Sequence, residues 1–261
     1  MGDFGVVGAW IMLAVVVVGA VALAVGSVLL ASRVIARDTR PEHNGILSPF
    51  LTVVGLVYGA LLGFTVVVGW QQYLSAQTNV SNEASTLVTM YRQTVAMPQP
   101  EQGQVREQLR RYAAAVQGPE WGKEEFGSIS NNGRHALTEM YRIVGTAGSD
   151  SSASQINSQF LSQLAALTSD RSARILNSSP RIPPLLWCAL VFGSLVLISL
   201  ASFMRLENNR AHMILVSSVT VLLALLLSLV FMLDHPYGQV GVTPHRFAHA
   251  VTVFDLIDQG T

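Results

Sequence analysis

Four stretches of the chain carry no charged side chain: Val6 to Ala31, Phe50 to Trp70, Pro184 to Met204 and Met213 to Leu233. A helix rises 1.5 Å per residue, so about 20 apolar residues cross the roughly 30 Å of hydrocarbon in a bilayer. Each stretch meets that length, and a helix satisfies its own peptide groups where no water can. The first run is longer than the apolar core of a signal peptide, and no Lys or Arg precedes it. It is therefore read as a membrane helix and not as a cleaved leader. Trp70, Tyr73, Trp187 and Tyr237 fall near span ends, where aromatic rings favour the headgroup zone.

From Gln71 to Pro183 the pattern changes: apolar residues recur at steps of three and four, the spacing of amphipathic helices with one buried stripe each. The stripes are Val80, Ala84, Leu87, Tyr91 and Val95; Val105, Leu109, Tyr112 and Val116; Leu137, Met140, Tyr141 and Val144; and Ile156, Phe160, Leu164 and Leu167. Breaks are expected at Met97 to Pro100, Gly118 to Ser130 and Gly145 to Ser154. No breaker separates Trp70 from Val95, so the second span is expected to run on into this region. The last helix, ending near Ser179, enters the third span through Pro180, Pro183 and Pro184. After Leu233, a short tail helix is expected with Thr243 as cap and Pro244 at its first position. Phe247, Val251 and Phe254 line one side of it, either on the bilayer surface or docked on the polar region.

The predicted fold is thus an all-α membrane protein, with four transmembrane helices and a helical extramembrane domain between the second and third. Its parts are residues 1–70 with the first two spans, 71–182 with the domain, 183–233 with the last two spans, and a 234–261 tail. Only 12% of the 261 residues are charged, about half the share in an ordinary soluble domain. Sixteen basic and sixteen acidic side chains cancel, which gives no reason to expect a nucleic-acid partner. The single cysteine, Cys188, excludes an intrachain disulfide and a cysteine-based metal site.

Charge position bears on orientation. The two short loops hold Arg33, Arg37 and Arg40, then Arg205 and Arg210, whereas the N-terminal tail carries only Asp3. Basic loops stay cytoplasmic, so the reading is a multi-pass protein of the plasma membrane with termini and domain outside the cytoplasm.

No phosphate-cradling glycine loop, nucleophile elbow or His-Glu-x-x-His pair is found, and no catalytic residue or cofactor is assigned. His245 and His249, four apart, form a weak metal candidate with Asp255, against the plainer reading of two exposed histidines. The spans contain no Asp, Glu, Lys, Arg or His, which disfavours ion-coupled transport but not a pore lined by hydroxyls, backbone dipoles and apolar rings. The second span repeats glycine at Gly55, Gly59 and Gly63, with Thr52 and Thr65 close to the same strip. That spacing lets another helix approach to backbone contact, within one subunit, at a subunit seam or beside a pore. Tyr58, Phe64 and Trp70 are the constriction candidates in the last case. A weaker strip, Gly19, Ala22 and Gly26, lies on the first span.

In the domain, the stripe Phe160, Leu164 and Leu167 continues to Arg171 and Arg174, whose buried charge requires partners. Glu83 lies thirteen residues beyond Trp70 and Arg171 thirteen before Pro184, so a Glu83–Arg171 ion pair is expected. Glu120 or Glu101 is the expected acceptor for Arg174, in an architectural pair or in a site for an anion.

These residues resemble a known family. Pro41, Glu42, His43 and Asn44; Gly55 with Tyr58; Phe64; Trp70, Tyr73 and Ala76; and Glu83 with Ala84 are similar to the bacterial bestrophin-like membrane proteins. Tyr112, Glu120 with Trp121, Arg171 with Arg174, Pro184 with Trp187, and Asp234 with Pro236 fit the same pattern, from about His43 to Phe247. The resemblance implies a homo-oligomeric, anion-conducting channel whose second helix lines the pore and widens into a helical domain. Two features differ: no phenylalanine cluster follows an Asn-x-Pro element, and the arginines place the domain outside, whereas bestrophins keep theirs in the cytoplasm. The expected partners are membrane lipid, further copies of the chain and small inorganic ions. The alternatives are a non-conducting membrane scaffold or sensor whose domain binds a protein or lipid, and a surface hydrolase or transferase.

Overall fold

A computed structural model describes residues 2–34, 42–121, 131–146, 151–178, 181–204, 208–237 and 241–260. Arg37, Arg40, Pro41 and Arg205, most of the expected 118–130 break and part of the 145–154 break lie outside the described residues, as do the side chains of Glu42, His43 and Glu120. No strand occurs among those described. The helices are α1 (Gly2–Val34), α2 (Glu42–Gln93), α3 (Glu101–Ala115), α4 (Asn132–Thr146), α5 (Ser151–Asn177), α6 (Pro184–Phe203), α7 (Asn209–Asp234) and α8 (His245–Gln259). A 3-10 turn at Thr94–Ala96 follows α2, and a π turn at Val116–Glu120 follows α3.

Four of these helices, α1, α2, α6 and α7, are long and apolar enough to cross a membrane. Pro184 opens α6 at the position where a missing N–H costs nothing. α7 starts four residues before the expected Met213, which brings His212 into the helix, buried, with its Nε2 3.2 Å from the carbonyl of Ala201. α2 continues without a break for 52 residues, as the absence of a breaker predicts. At 1.5 Å per residue that is roughly 80 Å, far more than a bilayer's hydrocarbon requires.

The chain divides into two compact units: Met1–Gln71 with Arg181–Asp234, and Gln72–Pro180 with His235–Thr261. In the first, Tyr58 and Leu62 of α2 pack with Leu190, Leu197 and Ile198 of α6 and with Leu223 and Val230 of α7. α1 meets the bundle through Ala24, against Ala201 and Val216, and through Ser27, whose hydroxyl lies 2.8 Å from that of Ser202. Small side chains permit this close approach. They are not the expected strip, however: Ala20, Ala24 and Ala31 are buried, whereas Gly19 and Gly26 face open space. Only 11% to 33% of each span's most apolar window is buried within the chain, so most of that surface is left for lipid or for other copies.

In the second unit, the amphipathic stripes converge on one core containing Val80, Leu87, Leu109, Met140, Phe160, Leu164 and Leu167. Val95 and Tyr141 were expected in that core and are exposed. Val95 falls in the 3-10 turn, where helical phase is lost, and Tyr141 is adjacent to Met140, which occupies the inward position. The tail helix α8 docks here by Phe247, Ala250 and Phe254, so the tail belongs to this unit. Its cap differs from the expected one: Pro244, not Thr243, precedes the first turn, no side chain caps it, and the Pro244 carbonyl accepts from Phe247 N–H. Tyr237 also departs from its expected place in the headgroup zone. It is buried in this core, edge-on to Trp121 at 5.4 Å.

Candidate functional site

Two arrangements concentrate the residues singled out by sequence. The first is α2, whose faces differ within its own unit. On the packed face, Tyr58 is 5% exposed and its hydroxyl donates to the carbonyl of Leu190 at 3.0 Å. Gly193 of α6 makes room for the ring, since a Cβ there would lie 2.5 Å from Tyr58 Cδ2. Tyr58 is therefore held between helices and leaves the set of constriction candidates. Thr65 is buried on the same side and donates to Leu61 within its own helix.

Away from that face, among the described residues, Gly59 and Gly63 have no neighbouring atom within contact distance of a built Cβ, and Gly55 meets only Leu197 Cδ2 at 3.8 Å. Phe64 and Trp70 stand out from the same helix at 75% and 53% exposure, and Thr52 is exposed with its hydroxyl turned to the Ser48 carbonyl. Among the described residues, the glycine strip is thus not used for packing at Gly59 and Gly63. A helix exposing such a strip offers a backbone-close surface to another copy, to lipid or to a pore.

The second arrangement is a sealed ionic centre in the helical unit. Glu83 of α2 and Arg174 of α5 are both fully buried, joined by Arg174 Nε to Glu83 Oε2 at 2.6 Å and Nη2 to Oε1 at 3.2 Å. Tyr112 of α3 donates its hydroxyl to Glu83 Oε1 at 2.5 Å. The Arg174 guanidinium also lies over the Trp121 ring, 5.8 Å from its centroid. A fork of two bonds plus a phenol is the geometry in which a buried carboxylate is compensated. Burial, and then the Glu83 charge, push the Tyr112 phenol well above its ordinary range, which keeps it a neutral donor.

The ion pair described for Glu83 lies one turn from the expected one, with Arg174. Equal counts from Trp70 and Pro184 assume helix on both sides, but α5 ends at Asn177, and Arg181, Ile182 and Pro183 are outside any helix. Non-helical chain covers more distance per residue, so the facing residue is closer in sequence to Pro184. Arg171 is buried on the same stripe at 7% exposure. Glu101 opens α3 and is not needed as the acceptor for Arg174, because Glu83 fills that role.

A third cluster has members that the sequence marked without a role. Asp234, at the end of α7, is 2% exposed and accepts the backbone N–H groups of Arg181 at 2.9 Å and Ile182 at 3.0 Å, and the Trp187 indole N–H at 3.1 Å. Three donors offset the cost of burying a carboxylate. The cluster ties the entry of α6 to the exit of α7 and draws Trp187 into a structural bond. No spacing rule connects residues some fifty positions apart, so only the two short motifs containing them hinted at it.

The histidine candidate is not supported. His245 and His249 are exposed on α8, Asp255 is engaged by Arg110 at 2.8 Å, and no group of three potential ligands occurs among the described residues.

The family model described as the bestrophin-like domain matches residues 18–247. No curated protein matches the chain. Among solved structures, a single-residue variant of a bacterial bestrophin homologue from Klebsiella pneumoniae is 14% identical with a TM-score of 0.67, over 92% of this chain and 96% of that one. A second structure of a bestrophin homologue from the same organism is 15% identical with a TM-score of 0.66, over 92% and 97% of the two chains. At such identities the likeness establishes a shared fold.

Proposed function

This chain belongs to the bestrophin-like family, and on that premise we propose that it assembles with copies of itself into a passive channel for small inorganic anions, with α2 beside the pore. One observation carries the reading: α2 buries Tyr58 and Leu62 against its own bundle and leaves Gly59 and Gly63 exposed on one flank and Phe64 on the other. A pore helix needs this division, with one face fixed to the subunit and the other free to line an axis. In this reading Thr52, Gly55, Gly59 and Gly63 give a narrow, backbone-rich wall, and Phe64 and Trp70 are its apolar constrictions. The Glu83–Arg174 centre is architectural and binds no ion. The protein sits in the plasma membrane among lipid, with termini and helical domain outside the cytoplasm. Arg33, in the last turn of α1, and Arg210, in the first turn of α7, border the short connections and support that orientation.

The test is anion efflux from vesicles containing the purified oligomer. Wild type releases chloride, and Phe64→Ala, which widens the constriction, raises the rate at least about tenfold, equivalent to ~1.4 kcal/mol of barrier. A folded oligomer that passes no anion at any salt or voltage rejects the channel in favour of a scaffold. Orientation is read separately by replacing Cys188 with Ser and exposed Ser85 with Cys, then labelling intact cells with an impermeant thiol reagent. Labelling puts the domain outside.

A further inference from the structure

The channel reading makes no use of a densely bonded polar cluster in the helical unit. At the last turn of α2, Tyr91 donates its hydroxyl to Asp258 Oδ2 of α8 at 2.6 Å. Two arginines of α3 close on the same helix: Arg106 Nη1 reaches Asp258 Oδ1 at 2.7 Å, and Arg110 reaches Asp258 Oδ2 at 2.7 Å and Asp255 Oδ1 at 2.8 Å. Phe254 of α8 stacks face to face on the Tyr91 ring, 4.1 Å between centroids and 8° between planes. The two guanidinium carbons lie 5.3 and 5.5 Å from the centre of the Tyr91 ring. Arg106 Nε also donates to Thr94 Oγ1 at 2.9 Å, in the 3-10 turn that ends the α2 segment.

Three features separate this cluster from ordinary packing. Its charges stay within reach of solvent, with the side chains of Arg106, Arg110, Asp258 and Asp255 exposed by 16%, 35%, 36% and 53%. Ions in the medium can therefore screen it. The helix it holds has 15 residues and buries only Phe247, Ala250 and Phe254, and a helix of that length is marginal on its own. The group it holds in place, Tyr91, belongs to the same unbroken helix that carries Gly59, Gly63 and Phe64.

We propose that α8 is a charge-operated latch on the last turn of α2. With Asp255 and Asp258 clamped by Arg106 and Arg110, Phe254 covers Tyr91 and the end of α2 is held. With the clamp neutralised or screened, α8 releases and the last turn of α2 frays with it. The bearing of this latch on conduction rests on the channel reading; the latch itself does not.

The test is amide hydrogen exchange on the full-length oligomer in lipid nanodiscs. In Asp255→Asn/Asp258→Asn, exchange rises together in residues 245–259 and 88–96 by about tenfold or more, while residues 160–167 in the core stay protected. Wild type moves the same way as salt is raised from about 50 mM to about 500 mM. Tyr91→Phe keeps the stacked ring and removes two bonds, the one its hydroxyl donates to Asp258 and the one it accepts from Arg110 Nε at 3.2 Å, so it folds and opens at lower salt than wild type. The latch is overturned if α8 stays protected in the double variant, if α8 releases while residues 88–96 remain protected, or if Tyr91→Phe opens at the wild-type salt concentration. Chloride efflux is measured on the same preparations. Efflux by wild type that the double variant leaves unchanged overturns the coupling to conduction, whereas no efflux from either protein rejects the channel reading and leaves the exchange result to judge the latch.

Discussion

The helical unit contains the same three chemical groups twice, a carboxylate, a guanidinium and a phenol, in two surroundings. Around Glu83, Arg174 and Tyr112 they are sealed, and around Asp258, Arg106, Arg110 and Tyr91 they meet solvent. Water sets the difference in role. A sealed pair gains nothing from ions in the medium, and parting its members would leave a buried charge without the opposite charge that offsets it. The rim cluster keeps much of its hydration when it opens, so it contributes little net stability and can be moved by salt or protonation. One arrangement fixes which helices lie together, and the other governs whether an added helix stays.

The largest effect follows from breaking the sealed pair. Glu83→Gln removes the carboxylate that Arg174 meets at 0% exposure, and is expected to cost ~3–5 kcal/mol. The readout is thermal unfolding of the detergent-solubilised protein, in which the apparent midpoint should fall sharply and without dependence on salt. Replacing both partners with leucine should recover most of the loss, since the desolvation penalty goes with the charges. If Glu83→Gln unfolds with wild type, the pair is not structural and the contrast with the rim fails.

An intermediate effect is expected at Tyr112. Its hydroxyl is the third bond on Glu83, and a hydrogen bond to a charged group is worth ~1.5–3 kcal/mol. Tyr112→Phe should therefore destabilise by less than Glu83→Gln. Burial and the Glu83 charge raise the folded-state value of this phenol well above the usual range, so the native protein retains the proton where the unfolded chain loses it. Stability then falls as pH rises above about 10, and this component is missing in Tyr112→Phe. Parallel alkaline unfolding curves for the two proteins would contradict the buried position.

How much of this was readable in advance depends on which rule the residues obey. The four spans and the long second helix were legible because length and absence of charge suffice to identify them. Glu83 was legible as a buried acid, but the partner described for it, Arg174, lies one turn from the expected one, because α5 ends at Asn177 and Arg181 to Pro183 are not helical, which no residue count shows. Tyr58 read as a pore or helix-contact candidate because aromatic rings in a span look alike from either side. Gly193, which accommodates the ring, lies 135 positions away. Asp255 read as a possible member of a weak metal candidate, because a carboxylate near two histidines has the right chemistry. Its actual partner, Arg110, sits on a helix face that in sequence looks simply solvated. Pairings between distant helices set by tertiary packing were the part the pattern did not carry.

The smallest effect belongs to the rim and sharpens the contrast most. Asp258→Asn should cost less than ~1 kcal/mol, because its pairs are solvent-exposed, and that cost should shrink further as salt is added. Burial alone would raise the Asp258 carboxyl, but the hydrogen bonds from Tyr91 and Arg110 and the charges of Arg106 and Arg110 outweigh it and hold the group below its ordinary value. A depressed value in the folded state means that the contribution is present above the unfolded value, near 4, and is lost as pH falls through the lower folded one. The difference in α8 amide protection between wild type and Asp258→Asn should therefore be constant near neutrality and vanish only at pH well below about 4. Glu83→Gln should show no comparable response to salt. A difference that fades already between pH 6 and 5, or that persists undiminished in high salt, would mean that the Asp258 contacts are not the charged clamp on which the latch depends.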